Sequence, residues 1–183
     1  MRNLKTEGII IRRRDFKDAD RILTILTKDY GKIAVKASGI RRIPSRRSPH
    51  VELLNHCIVS LYQGNKFPIL TEAHTLSSFS PVKEDLQRIG AAYHLCELVD
   101  GLCPENQENR AAFELMTETL HRLAKSTSDE VTVTVRQFEI EFLTLLGYWN
   151  TANNLNTRID MDQFVEGIIE RKLRSKTMFA KLI

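Results

Sequence analysis

The chain has 183 residues, 42% of them apolar, with 27 Lys and Arg against 23 Asp and Glu and a net charge of +4. That apolar content supports a packed core and excludes a disordered or fibrous chain, while no apolar run approaches the roughly 20 residues that cross a bilayer. The N-terminal MRNLKTEGII has no apolar signal core, and three cysteines (Cys57, Cys96, Cys103) without a CxxC pair suit a reducing compartment, so reduced structural thiols and a cytoplasmic address are expected.

Residues 1–80 read as five strands. TEGIIIRRR (6–14) is the first, ended by the polar cluster Asp15 to Asp20, and RILTILT (21–27) the second, closed by Asp29-Tyr30-Gly31. In KIAVKAS (32–38), Ile33, Val35 and Ala37 alternate with Lys32, Ala34, Lys36 and Ser38, which predicts one core face and one wet, positive face. VELLNHCIVSLYQG (51–64) and, after a Gly64-Asn65 turn, FPILTEAHTLSSF (67–79) complete the set. Five strands in so short a stretch suggest a small closed barrel, which leaves no exposed edge.

At Ser80-Pro81 a favoured N-cap meets a favoured first helical residue, and helices are expected from there on. The first covers 82–102, with Leu86, Ile89, Tyr93 and Cys96 on one stripe and Leu95, Val99 and Leu102 on the next. The second covers 107–125 with Phe113, Met116, Leu120 and Leu123, and the third 129–146 with Val131, Val135, Phe138, Phe142 and Leu145. VTVTV at the start of the third would equally suit a strand. YWNTANNLNTR (148–158) is a polar loop, and Asp160-x-x-Gln163 resembles a capping box opening a last helix with Phe164, Ile168 and Leu173 inward. The expected domains are thus 1–80 and 81–183, an α+β chain.

The segment KASGIRRIPSRRSPH (36–50) stands between two strands and offers almost nothing to bury. Arg41, Arg42, Arg46 and Arg47 flank Ile43-Pro44-Ser45, placing planar guanidinium forks within reach of phosphate oxygens. Residues 1–80 hold 15 Lys and Arg against 7 Asp and Glu, a net of +8, and residues 81–183 hold 12 against 16, a net of −4. A basic half of this kind favours a polyanion, and Arg12, Arg13, Arg14, Lys32 and Lys36 on the nearest strands would extend the loop into one positive surface. Phe16, Tyr30, Tyr62 and Phe67 form no paired stacking platform, which favours backbone-directed contact without sequence choice.

Nothing in the sequence forms an active site. Asp15, Asp18 and Asp20 lack the glycine and distal glutamate of a calcium loop and read as a polar turn. There is no nucleotide-binding glycine motif, and His50, His56, His74, His94 and His121 have no partner at metal-ligand spacing, so no metal or cofactor is expected. Arg136 borders the apolar stripe of Val135 and Phe138. It could receive the carboxylate of a peptide lying there, or pair with a neighbouring glutamate as an ordinary surface arginine.

TEGIIIRRRDFKDADRILTILTKDYGKIAVKASGIRR, ELLNHCIVSLYQG, PILTEA, YHLCELVD, QFEIEFLTLLGY (137–148) and ERKLRSK (170–176), in that order, resemble the RecO family of bacterial recombinational repair proteins. The resemblance implies an N-terminal five-stranded OB-fold barrel followed by an all-helical domain. It implies a non-enzymatic mediator at the bacterial nucleoid that binds single- and double-stranded DNA, anneals complementary strands, and with RecR assists RecA loading. The family's basic barrel surface corresponds to Arg12, Arg14, Lys32, Lys36, Arg41, Arg42, Arg46 and Arg47. Arg136 matches the basic position before the FE segment, where the acidic C-terminal tail of the single-strand DNA-binding protein is received. Many members carry a four-cysteine zinc module where this chain has WNTANNLNTRIDMDQ, so no zinc is expected and RecR docking is put in doubt. The alternative is an OB-fold adaptor that binds proteins and has little DNA affinity.

Overall fold

The strand β1 (Asn3–Phe16) serves two neighbours, because residues 8–16 run antiparallel to β2 (Asp20–Thr27) and residues 3–9 run antiparallel to β4 (His56–Tyr62). A register shift interrupts the alternation between Ile10 and Arg12; Ile10 packs in the barrel core, and Ile9 and Ile11 on either side of it are buried as well. The strand β3 (Gly31–Ala37) pairs antiparallel with β2 and, through Lys36 and Ile69, parallel with β5 (Ile69–Ser77). With β5 against β4 the order β1-β2-β3-β5-β4 closes on itself as a barrel of OB type. Helices follow, giving an α+β chain of an N-terminal OB-like barrel and a helical domain. The computed structural model describes residues 3–43, 45–63, 67–150 and 160–175. Pro44, the Gly64-Asn65 turn, positions 151–158 of the polar loop and Lys176 lie outside them.

Inside the barrel, Ile10, Leu23, Ile25, Val35, Val59, Leu61 and Leu70 are fully buried, each side chain contributing about 1.5–3 kcal/mol of transfer free energy. The fourth strand begins later than its apolar run suggests, since Ser48–Val51 is a short 3-10 helix.

By its internal packing the chain divides into Met1–Phe79 with Cys103–Phe113, and Ser80–Leu102 with Glu114–Ile183. The barrel unit therefore includes a segment that returns to it after the second helix. Asn106 N–H donates to the Lys32 carbonyl at 2.8 Å, and the His56 and Phe113 rings meet edge-on at 5.6 Å. Gly31, at φ +66°, is required here. A Cβ at that position would stand 1.7 Å from the Gln107 carbonyl oxygen.

The helices are α1 (Ser80–Lys83), α2 (Leu86–Leu102), α3 (Arg110–Lys125), α4 (Ser128–Leu145) and α5 (Met161–Ile169). The single helix expected over 82–102 is thus broken before Leu86, which is 71% exposed rather than on an inward stripe. Within α2 the residues Ala91, Ala92, His94, Leu95, Leu98 and Val99 are buried on every side, the pattern of a central helix. VTVTV is helical in α4. Thr127 N–H donates to the Glu130 carboxylate at 2.8 Å in a capping box, and Val131, Val135, Phe138 and Phe142 then line one buried face. Leu145, at the end of that stripe, is exposed. Asp160 caps α5 by accepting from Asp162 N–H and Gln163 N–H. Among the described residues no helix is long and apolar enough to cross a membrane.

Candidate nucleic-acid interface

The segment after β3 is a folded turn. Gly39, at φ +64°, reverses the chain and donates its N–H to Asp20 Oδ1 at 2.7 Å. Arg41 N–H donates to the Ala19 carbonyl (3.0 Å), Arg42 N–H to Gly39 (3.2 Å), Ser45 N–H to Arg42 (3.0 Å) and Ser48 N–H to Ser45 (3.3 Å). The Arg47 guanidinium fastens the base of the turn, donating to the Ser38 carbonyl at 2.8 Å and to the Leu70 carbonyl.

The eight basic positions drawn from the sequence fall into distinct states. Arg42 and Arg46 are exposed on the rim of a shallow concavity floored by Ser38, Gly39, Ser45 and Thr71. Arg12 and Arg14 are exposed on β1, where the register aligns Arg12 with Thr24 and Ala34, and Arg14 with Ile22 and Lys36, along the outer face. Arg41 is drawn to Asp15 (3.5 Å), a carboxylate also held by Arg21 at 2.8 Å. Lys36 is bound to Asp20 at 3.0 Å. The Gly39 amide and the Lys36 ammonium hold the Asp20 carboxyl below its usual range, and the Arg21 guanidinium does the same for Asp15.

Two positions differ from expectation. Arg47 is half-buried and bonds to backbone carbonyls, so it shapes the turn rather than standing free in solvent. Lys32 does not share a wet face with Lys36, for it is 6% exposed where the chain returns at Glu105 and Asn106. Strand alternation separates inside from outside, and it carries no information about what later covers the outside. The remaining arginine of the first strand, Arg13, pairs with Glu52 at 2.6 Å.

Arg136 lies on α4 with 45% of its side chain exposed and Nη1 3.4 Å from Glu139 Oε2. That geometry is the glutamate pairing which the sequence held open as one reading of this residue. Glu139 in turn is buried, its Oε1 2.9 Å from His94 Nε2, while His94 Nδ1 lies 2.9 Å from Ser175 Oγ. Ser175 Oγ donates to Glu97 (2.7 Å), which also accepts from Arg171 (2.6 Å) and from the Arg174 and Ser175 N–H groups. Burial pushes the Glu97 carboxyl up, but hydrogen bonds from Ser175, Arg171 and Arg174 outweigh it and hold the pKa down to about 2. His94, Glu139 and Asp162 bring ligand-type atoms within 4.8 Å of one another, and the first two already hold each other. The His94–Glu139 contact spans 45 positions and two helices, and no local spacing signals it. The counter-ions Asp15 and Asp20 do have a signal, since an acidic hairpin precedes the basic segment.

Burial raises the thiols of Cys57 and Cys103, to about 12 and about 11, the latter lowered slightly by Lys32, and neither is poised as a nucleophile.

Residues 1–79 match the family described as Recombination protein O N terminal, and residues 83–154 the family described as Recombination protein O C terminal. Similar curated proteins include the DNA repair protein RecO of Roseiflexus sp. (strain RS-1), 42% identical over 144 residues that are 79% of this chain and 50% of that protein. The DNA repair protein RecO of Symbiobacterium thermophilum is 36% identical over 142 residues, 78% of this chain and 56% of that protein. That of Dehalococcoides mccartyi (strain CBDB1) is 36% identical over 146 residues, 80% and 57% respectively. The chain spans about half the length of the curated relatives it matches.

Proposed function

Because the chain belongs to the RecO family of DNA repair proteins, we propose that its barrel binds DNA backbones through Arg42 and Arg46 on the turn and Arg12 and Arg14 on β1. Lys36 and Arg41 reinforce the same face. The protein acts without covalent chemistry in the bacterial cytoplasm. It screens two phosphate backbones so that complementary single strands anneal, and with RecR it assists the loading of RecA at gaps. Arg136 receives the acidic C-terminal tail of the single-strand DNA-binding protein, sharing its charge between that carboxylate and Glu139.

The observation that carries this reading is the exposure of Arg42 and Arg46 together on a turn whose other basic groups are taken up by carboxylates or carbonyls. The same neutralised pairs favour the second reading, a protein-binding adaptor with little DNA affinity. Titration of a labelled single-stranded oligonucleotide at several salt concentrations separates the two. Wild type should weaken steeply with salt, and Arg42→Ala with Arg46→Ala should flatten the log–log slope by about 1.4, from about 0.7 per phosphate contact on single strands. Absent or salt-insensitive binding by the wild type selects the adaptor.

A further inference from the structure

Ile43 is 103% exposed, a large aliphatic side chain standing wholly in solvent. It follows Arg42 and precedes Arg46 in the same turn, both of them exposed, while Arg41 is paired with Asp15. Gly39, Ser45, Ser48 and Arg47 hold the turn through backbone hydrogen bonds and the guanidinium contacts to Ser38 and Leu70. A hydrogen-bonded basic turn thus presents one exposed apolar group between two exposed arginines.

We propose that Ile43 is a wedge that enters a stacked base step of a DNA strand whose phosphates the flanking arginines grip. This rests on the DNA-binding reading above and goes beyond it, because phosphate contacts alone leave the bases untouched. The partner's chemistry follows from the flanking charge. An apolar pocket on a protein would have to accept the Arg42 and Arg46 guanidinium groups beside its mouth, whereas a nucleic acid strand supplies both parts, phosphates for the arginines and base faces for the isoleucine. Apolar side chains inserted between bases unstack them, and the burial gained offsets the lost stacking. A strand held with one step opened has bases free of their neighbours, the condition in which a complementary strand can pair with them.

A single-stranded oligonucleotide carrying one 2-aminopurine between adenines reads unstacking directly, as a rise in fluorescence. Wild-type protein should produce that rise on saturation. Ile43→Ser should abolish it and weaken binding by about ten- to hundredfold, the scale of one aliphatic side chain, with the salt slope unchanged. Ile43→Leu should restore both. Because Ile43 stands wholly in solvent in the folded protein, neither variant should change the unfolding midpoint. If Ile43→Ser binds and brightens the probe as wild type does, the wedge is wrong and the phosphate site stands. If wild type binds no oligonucleotide at low salt, the DNA-binding reading fails and the wedge with it.

Discussion

Arg42, Arg46 and Arg47 are the same residue type within six positions, yet they stand in different chemistry. The first two face solvent, and the third donates to the Ser38 and Leu70 carbonyls at the base of the turn. Arg47→Ala should therefore cost about 1–3 kcal/mol of stability, since it removes two hydrogen bonds that fasten the turn. Arg47→Lys should recover little of it, because an ammonium cannot bridge two acceptors as a planar fork does. Arg42→Ala and Arg46→Ala should leave the urea midpoint within experimental error. Equal destabilisation by all three would show that the guanidinium of Arg47 has no special place in the turn. The sequence identified the arginine cluster from its composition and its lack of anything to bury. Composition could not say which guanidinium is structural, because that is decided by the Leu70 carbonyl, 23 residues away. Lys32 shows the same limit, for the cover over it comes from residues beyond the second helix.

At the scale of elements, α4 illustrates how a cap decides between two periods. VTVTV alternates like a strand, but Thr127 and Glu130 form a capping box directly before it, and from Val131 to Phe142 the buried positions recur at helical spacing. These signals were all legible in the sequence. The anchoring of Arg174 and Ser175 was not, because Glu97 reaches them from α2 across more than 70 positions. That anchor predicts a pH dependence. A carboxyl whose folded pKa lies below its ordinary 4.5, at about 2, stabilises the fold above pH 4.5, and that stabilisation is lost as pH falls toward 2. Allowing for solvent screening, the contribution is about 1–2 kcal/mol. Glu97→Gln should lose this amount near neutral pH, and its stability should then fall less between pH 4.5 and 2 than that of the wild type in parallel urea titrations. Parallel pH profiles for the two proteins would remove Glu97 from this role.

At the scale of the whole molecule, the strand pattern and the change to helices at Ser80 are both visible in the sequence, and so is the division of charge between the two halves. What the pattern does not reveal is that the barrel unit takes in Cys103–Phe113. The only trace is Gly31 itself, which reads as a hairpin glycine and also leaves room for the Gln107 carbonyl. Gly31→Ala tests that junction. Between a positive φ and a methyl group placed 1.7 Å from an oxygen, the variant should lose at least about 2 kcal/mol, with faster amide exchange around residues 104–108. Wild-type exchange there would mean the segment does not rest on the strand.

The returning segment also sets a timetable. A ribosome releases the chain from its N-terminus, and domains generally fold as units as they emerge, at about 5–20 residues per second. By residue 79 all five strands have been synthesised, yet the piece that lies over Gly31 and Lys32 has not. Another 34 residues must follow before Phe113 arrives, and they include the whole of α2, which belongs to the other unit. A nascent barrel therefore waits for its last piece while a helix of the second unit is being made, and the two units cannot be completed strictly one after the other.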